Sequence, residues 1–388
     1  MTGKERILAT MAGEPVDRIP VHHLTFSADA AAAILGRPAY VGGAVMQWWE
    51  MQAMWEGPDA HAEYLARCRE DAIAIAEACG HDMLRLQYWR WTEKPADRID
   101  EHTFLFGDPE REWKKMTFLP DVELWSVETG RGPLAGPVEA EEELSEEAFE
   151  REVVAAEEAA AAYEPPPGPH PDRKAENEAY PWYLIRQGAG AVGIGLFNQR
   201  RLMQVALWPE LYARMLMAEA ERHVKDVPRL GEAGMKVNFA GGDFCSSAGP
   251  CVSPETYRRV VLPAEKRIVD AHHEHGIRCV YVSDGNFWPV ADIFFNEAGL
   301  DGWLETDRSA GMELRPLRER YPHAAFFGNI RVQVLHRGSA DDVKREVNEC
   351  LELAHELGRV VVGASNQIVA GTPPENILTM LKAIEDSR

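Results

Sequence analysis

Three short apolar segments in the second half of the chain all end in an acidic residue. Residues 237–242 (VNFAGG) precede Asp243, residues 279–283 (CVYVS) precede Asp284, and residues 301–304 (DGWL) precede Glu305. Parallel strands end at one edge of their sheet, where α/β enzymes place the side chains that meet a ligand. The pattern therefore predicts that Asp243, Asp284 and Glu305 are catalytic residues of one shared site.

The same kind of segment recurs along the chain and alternates with helical patterns. Alternating strands and helices are typical of a parallel sheet, and eight such units are typical of a (β/α)8 TIM barrel. The prediction is an α/β fold of this type. The expected strands are residues 19–23, 82–88, 191–197, 237–242, 278–283, 301–305, 324–328 and 359–364.

One stretch interrupts the alternation, at about residues 92–181. Residues 97–118 alternate and contain turns, which predicts a β-hairpin outside the core. Residues 139–162 are rich in glutamate and predict an acidic helical segment, and residues 164–171 (EPPPGPHP) predict an exposed linker. Since the stretch has too few apolar residues for its own core, we expect residues 1–388 to be a single barrel domain with an insertion.

Composition limits the possible partners and the compartment. The 388-residue chain has a net charge of −22, which argues against nucleic acid and anionic membranes. Its six cysteines lack a CxxC pair, and no apolar run is long enough to span a membrane. We therefore expect a cytoplasmic protein with reduced thiols that acts on a small molecule.

Further candidate site residues lie near the ends of the predicted strands. His22 and His23 cannot both face the barrel if strand alternation persists, so one is expected at the site and the other in packing or at the surface. Oxygen and nitrogen ligands make a metal possible, with His22, Asp243 and Glu305 as candidates and zinc as the ion. The candidate substrate-binding residues are His22, His23, Arg85, Tyr88, Trp89, Tyr281, Asn329 and Asn366.

Several motifs resemble the uroporphyrinogen decarboxylase-like superfamily, in the same order and over nearly the whole chain. The resemblance implies a (β/α)8 barrel, often paired as a homodimer. The motifs are residues 4–8 (KERIL), 15–21 (PVDRIPV), 249–255 (GPCVSPE), 283–286 (SDGN), 327–330 (FGNI) and 372–377 (TPPENI).

Two branches of the superfamily fit this chain poorly. The true decarboxylases carry an arginine-rich loop after the first strand, whereas residues 22–29 (HHLTFSAD) contain no arginine. Thiol-directed corrinoid methyltransferases bind zinc through a His-x-Cys pair and a late cysteine. The matching places here hold residues 282–284 (VSD) and Asn366, so a thiolate-activating zinc of that kind is not expected.

A third branch, the methyltransferases of O-demethylase systems, resembles the chain best, through residues 86–90 (LQYWR) and 99–108 (IDEHTFLFGD). The resemblance implies transfer of a methyl group from a small methylated substrate, a methoxylated aromatic above all, to a corrinoid (cobalamin) on a partner corrinoid protein. Two alternatives stay open: a cofactor-free decarboxylase and a non-catalytic barrel.

Overall fold

The computed structural model describes residues 1–134 and 144–388. Its helices are α1 Gly3–Ala12, α2 Ala28–Leu35, α3 Ala44–Glu56, α4 Pro58–Ala78, α5 Glu146–Ala162, α6 Pro171–Ala179, α7 Gln199–Leu207, α8 Pro209–Val224, α9 Val227–Glu232, α10 Pro254–Val260, α11 Leu262–Glu274, α12 Leu314–Arg320, α13 Val332–Arg337, α14 Ala340–Leu357 and α15 Pro374–Ser387. Shorter helical turns span Trp288–Val290, Ile293–Ala298 and Arg308–Ala310. Within these ranges, no helix combines the length and apolar character needed to cross a membrane.

The strands fall into a parallel set and an antiparallel set. They are β1 Met83–Leu84, β2 Asp97–Arg98, β3 Thr103–Gly107, β4 Glu112–Leu119, β5 Leu124–Arg131, β6 Leu184–Ile185, β7 Val237–Gly241, β8 Cys245–Ser246, β9 Gly249–Pro250, β10 Arg278–Val282, β11 Gly302–Leu304, β12 Ala325–Phe327 and β13 Val360–Val361. In the parallel set β1 pairs with β6, and the order β13-β12-β11-β10-β7 forms a second group.

Backbone contacts outside the named strands join the two parallel groups into a ring. Gln187, just after β6, bridges in parallel to Asn238 of β7. On the other side, Val21 bridges in parallel to Val362, beyond β13, and its carbonyl accepts the Asp82 N–H next to β1 at 2.9 Å. With residues 19–23 as the first segment, eight parallel segments surround one interior. The predicted barrel fold is confirmed.

The barrel is filled and closed at its N-terminal end. Inward side chains of the strands, among them Phe239, Val280 and Phe327, form one buried cluster with Ile7 and Met11 of α1. A capping box at Thr2 starts α1, since the Thr2 side chain accepts the Glu5 N–H and Glu5 caps in return. Because α1 covers this end, a ligand reaches the interior only from the carboxyl ends of the strands.

The third strand lies earlier than the sequence predicts. The predicted strand at residues 191–197 is wrong, because that segment is a loop in which the Leu196 N–H donates to the Asp243 carbonyl at 2.7 Å. The chain turns at Gly190, just before this segment. Gly190 has a φ of 68°, and a Cβ there would lie 2.1 Å from the His223 ring, so only glycine fits this position. The third strand of the barrel wall is β6, and Arg186 is the residue that follows it.

The stretch at about residues 92–181 forms more structure than a hairpin. Strands β2 to β5 make a four-stranded antiparallel sheet, so the predicted hairpin at 97–118 is part of a larger unit. Of the predicted acidic helix, α5 begins at Glu146, while residues 139–143 lie outside the described residues. That the whole chain is one domain stays a prediction.

Candidate active site at the barrel mouth

Neighbouring strands bring the three predicted acids to one edge of the barrel. In register, Val282 of β10 pairs with Gly241 of β7 and with Leu304 of β11. Asp243, Asp284 and Glu305 follow these three residues by two, two and one positions. Parallel register therefore places the acids side by side at the open end, called the barrel mouth below.

Glu305 lies deepest of the three. Only 7% of the residue is exposed, and its φ of 83° is unusual for a side chain other than glycine. Burial and the negative charges of Asp243 and Asp284 raise the pKa of Glu305 well above its usual value, although Arg186 and Arg85 act in the opposite direction. Its carboxyl group has no hydrogen bond or ion pair with any described residue, so the proton it tends to keep is available to a guest.

Asp284 is anchored but still keeps a raised pKa. Its Oδ2 accepts a hydrogen bond of 2.8 Å from the Asn366 amide. Burial, followed by the charges of Asp243 and Asp307, raises the pKa of Asp284 from 3.8 to about 6. The pKa of Asp243 is also raised by burial, although this residue is the most exposed of the three. The site therefore holds three carboxyl groups with raised pKa values, of which the deepest, Glu305, has its pKa raised well above the usual value and is best suited to donate a proton to a leaving group.

Two arginines lie at the ends of the neighbouring wall segments. The Nη1 atoms of Arg85 and Arg186 donate to the same acceptor, the Leu24 carbonyl, at 3.1 and 2.9 Å. Burial and the adjacent Arg85 lower the pKa of Arg186 to about 9, and burial lowers the pKa of Arg85 as well. Each charge acts on Glu305, which puts both guanidinium groups at the same mouth as the acids.

The two adjacent histidines, His22 and His23, have different surroundings. His22 is buried, and neither of its ring nitrogens has a hydrogen-bond partner in the described chain. Burial, then His81 and Arg186, lower the pKa of His22 far below 6.5, so its imidazole is neutral and lies near the arginines. His23 packs against Phe26 behind the wall, with ring centroids 6.0 Å apart, and both histidines contact His81, with ring centroids 5.0 Å away for His22 and 5.2 Å for His23.

One group of three potential metal ligands occurs in the described part of the chain, and it is a different set from the predicted one. It consists of His23, Cys79 and His81, with ligand atoms within 4.8 Å of one another. The predicted set of His22, Asp243 and Glu305 forms no such group, although the two free nitrogens of His22 are of the right type. Zinc at the mouth stays a prediction, and no chemical step below depends on it.

Hydrogen bonding argues against a metal in the His23–Cys79–His81 group. Nδ1 of His23 accepts the Ala364 N–H at 3.0 Å, and Nε2 of His81 accepts the His23 N–H at 3.1 Å. A neutral imidazole that accepts through one nitrogen carries its proton on the other. Ligating histidines usually have the reverse arrangement, in which the far N–H donates. The group therefore fits buried packing better than metal binding.

The other predicted substrate-binding residues have different surroundings. Tyr88 is buried beneath Arg85, whose guanidinium lies 4.7 Å from the ring centroid, and the next residue, Trp89, is 43% exposed. Asn329, after β12, is buried with both side-chain amide atoms unpartnered among the described residues. Tyr281 is not brought to the mouth, because it stacks on Trp303 in the layer between barrel and helices.

Sequence reasoning missed Arg186 and Asp307. Arg186 follows an apolar pair of only two residues, Leu184–Ile185, and precedes Gly188, which repeats the strand-then-glycine pattern in its shortest form. Asp307 lies two residues after Glu305, and its charge helps to raise the pKa of Asp284. A search for charged residues after very short apolar runs would have found Arg186.

Comparison with known proteins supports the superfamily. Residues 242–387 match the family model described as uroporphyrinogen decarboxylase (URO-D). Among solved structures, a methyltransferase from Methanosarcina mazei shares the fold over 100% of this chain and 99% of its own, with a TM-score of 0.58 and 20% identity. The resemblance to the uroporphyrinogen decarboxylase-like superfamily is thus confirmed over residues 242–387, and the solved structure adds a likeness of fold.

Two further comparisons add nothing to the assignment. The match to a sugar phosphate isomerase/epimerase from Parabacteroides distasonis ATCC 8503 spans 55% of this chain and 73% of that protein, at 11% identity. Its TM-score of 0.30 is too low to bear on the fold. No curated protein matches the chain in sequence.

Proposed function

We propose that this chain, which carries a uroporphyrinogen decarboxylase family domain, is a methyltransferase. The methyl donor would be a small methylated molecule, a methoxylated aromatic above all, and the acceptor a corrinoid on a separate protein. The observation that carries the proposal is the unpartnered carboxyl group of Glu305, held among Asp243 and Asp284 with a raised pKa. The full-length similarity in fold to a methyltransferase supports the same reaction class.

The residues at the mouth suit cleavage of a methyl ether. When the methyl–oxygen bond breaks, its electron pair stays on the oxygen, which needs a proton to leave as a phenol. Glu305 or Asp284 supplies that proton as a general acid, a role worth about 10²- to 10⁴-fold in rate. The corrinoid supplies the nucleophile that takes up the methyl carbon. Asn366 holds Asp284 in place through the 2.8 Å hydrogen bond.

A protein partner that delivers the corrinoid must approach the open end of the barrel. Phe197 is 85% exposed and follows Leu196, whose N–H donates to the Asp243 carbonyl at 2.7 Å. The 43%-exposed Trp89 lies beyond Tyr88 near the arginines. Exposed aromatic side chains beside a site are typical of binding surfaces, so these two residues support a docking role for the rim.

A methyl-transfer assay tests the proposal. Purified protein is incubated with cob(I)alamin and a panel of methoxylated aromatics and methylated amines, and methylcobalamin is followed by its absorbance. We expect transfer from at least one methoxylated aromatic, and a fall of about 10²- to 10⁴-fold in Glu305→Gln. Glu352→Gln, an exposed glutamate on α14, is the matched control and should keep full activity.

Three outcomes would contradict the proposal. Release of carbon dioxide from a carboxylated substrate without corrinoid would favour the decarboxylase alternative, in which the same acids donate a proton to carbon. Full methyl transfer by Glu305→Gln would remove the general-acid role. No turnover of any kind across the panel would favour a non-catalytic barrel. Metal analysis of the same preparation tests the predicted zinc.

A further inference from the structure

Arg85 and Arg186 form a half-buried pair of like charges that has no ion-pair partner among the described residues. Both point a guanidinium nitrogen at the Leu24 carbonyl, at 3.1 and 2.9 Å, so the two groups lie close together. Arg85 also donates to the Gln87 carbonyl at 3.2 Å. Within the ranges that the structure describes, Arg85 Nη2 and both Nε and Nη2 of Arg186 make no hydrogen bond, and neither residue has an ion pair.

The buried arginines of the described chain, Arg6 and Arg308, are paired, unlike the half-buried Arg85 and Arg186. Arg6 bonds Asp17 and Asp82, and Arg308 bonds Glu313, Glu346 and Glu349. Partial burial of an unpaired charge is unfavourable, and a like charge beside it adds repulsion. The lowered pKa of Arg186, caused by burial and by Arg85, reflects this cost. An arrangement that is unfavourable in the free protein is expected where a ligand completes it.

The acids of the mouth do not complete the pair. Glu305 interacts with both arginines electrostatically but lies beyond ion-pair distance, and its raised pKa means that it tends to be neutral. The barrel mouth therefore has two chemically different sides. The two arginines lie after β1 and β6, and the carboxyl groups lie after β7, β10 and β11. Tyr88 adds an aromatic face beneath Arg85.

We infer that the methylated substrate carries a carboxylate, which binds between Arg85 and Arg186. Guanidinium groups bind carboxylates through paired N–H donors, and three guanidinium nitrogens of this pair make no hydrogen bond within the described residues. The carboxylate end would lie at the arginines and the methoxy end at the acids, so the substrate class is a small methoxylated aromatic acid. The assignment of the methoxy end rests on the proposed function, whereas the carboxylate subsite rests on the arginine pair alone.

Binding of matched ligands tests the inference without requiring turnover. Titration calorimetry compares para-methoxybenzoate and benzoate with para-methoxybenzamide, an uncharged analogue of the same shape. We expect the wild-type protein to prefer the carboxylates by at least about tenfold in Kd. Inorganic phosphate serves as a second anion, because a phosphate group could also meet two arginines.

Variants locate the subsite. Arg186→Gln and Arg85→Gln should each weaken carboxylate binding by about 10- to 100-fold and leave the benzamide unchanged. Arg315→Gln removes an exposed arginine that pairs with Glu356 and is the matched control, with unchanged binding. Arg186→Gln should also keep or raise Tm, because Arg85 still donates to Leu24, whereas Arg308→Gln should lower it.

The outcomes separate the inference from the proposed function. Equal binding of benzoate and benzamide by the wild-type protein, no binding of any carboxylate, or tighter binding of phosphate would each overturn the carboxylate subsite. Methyl transfer from uncharged methoxy-aromatics would then still support the proposed function. Conversely, arginine-dependent carboxylate binding without methyl transfer would support the subsite and would contradict only the methyltransferase proposal.

Discussion

Two buried glutamates of this barrel meet opposite surroundings. Glu346 on α14 is 3% exposed and bonds both Arg308 and Arg331, with Arg331 Nε at 3.0 Å from each of its carboxylate oxygens. Glu305, at 7% exposure, lies three residues before Arg308 and yet has no hydrogen bond or ion pair among the described residues. The carboxylate of Glu346 is neutralised within the protein, whereas the carboxyl group of Glu305 is left free to interact with a ligand.

The difference separates structural from functional charge in this fold. Around Glu346 a removed charge leaves the opposite charges of a partly buried network under-compensated, which is unfavourable. At the mouth, Glu305 faces acids that raise its pKa, and the nearby arginines face each other, so removing one group relieves repulsion. Stability and function should therefore respond in opposite directions to equivalent substitutions in the two regions.

The largest expected effect on stability comes from Glu346→Gln. The substitution leaves Arg331 without its ion-pair partner and removes one of the three acids that surround the buried Arg308, so it should lower the free energy of unfolding by about 1–3 kcal/mol. Urea unfolding followed by circular dichroism measures the change. The matched variant Glu305→Gln should lose no stability. Equal losses in the two variants would show that Glu305 is as structural as Glu346, and the comparison would fail.

A smaller and pH-dependent effect is expected at Asp284. Its folded pKa of about 6 exceeds the ordinary 3.8, so stability falls as pH rises through this window. Asp284→Asn removes the charge and can still accept the Asn366 hydrogen bond. After allowance for solvent screening, the variant should be more stable than wild type by about 1 kcal/mol near pH 8, with the gain vanishing near pH 4.

Thermal melts of wild type and Asp284→Asn across that pH range check the sign. A gain that is the same at every pH would come from packing and not from the charge. A loss near pH 8 would mean that the Asp284 carboxylate stabilises the fold, as the carboxylates of the Glu346 network do.

The acids were predictable from sequence because parallel strands end at one edge. Asp243, Asp284 and Glu305 each follow an apolar run directly, and register alone then brings them together. Alternation also fixes Tyr281: with Val280 and Val282 facing the barrel interior, the residue between them must face the helices. What the sequence did not reveal is the cost of burial, which sets the pKa of Glu305.

The arginine pair was harder to predict for a topological reason. β6 has only two residues, Leu184–Ile185, after a stretch of loops and surface helices, while the glycine-rich residues 191–197 offer a longer apolar run. Placing the third strand there moved Arg186 outside the barrel wall. Without Arg186 at the wall, Arg85 was a single charge at a strand end. Nothing in the sequence indicated that both arginines donate to the Leu24 carbonyl. Long-range contacts, not local propensity, decided this position.

The charge state of Glu305 tests the central claim most directly. Infrared difference spectra of wild type against Glu305→Gln are recorded near pH 6, where an ordinary glutamate with a pKa of about 4.3 is ionised. We expect the variant to lose a protonated-carboxyl band, because burial and the neighbouring acids raise the pKa of Glu305. Loss of a carboxylate band instead would show that Glu305 is ionised, and the barrel mouth would then hold no proton donor at that position.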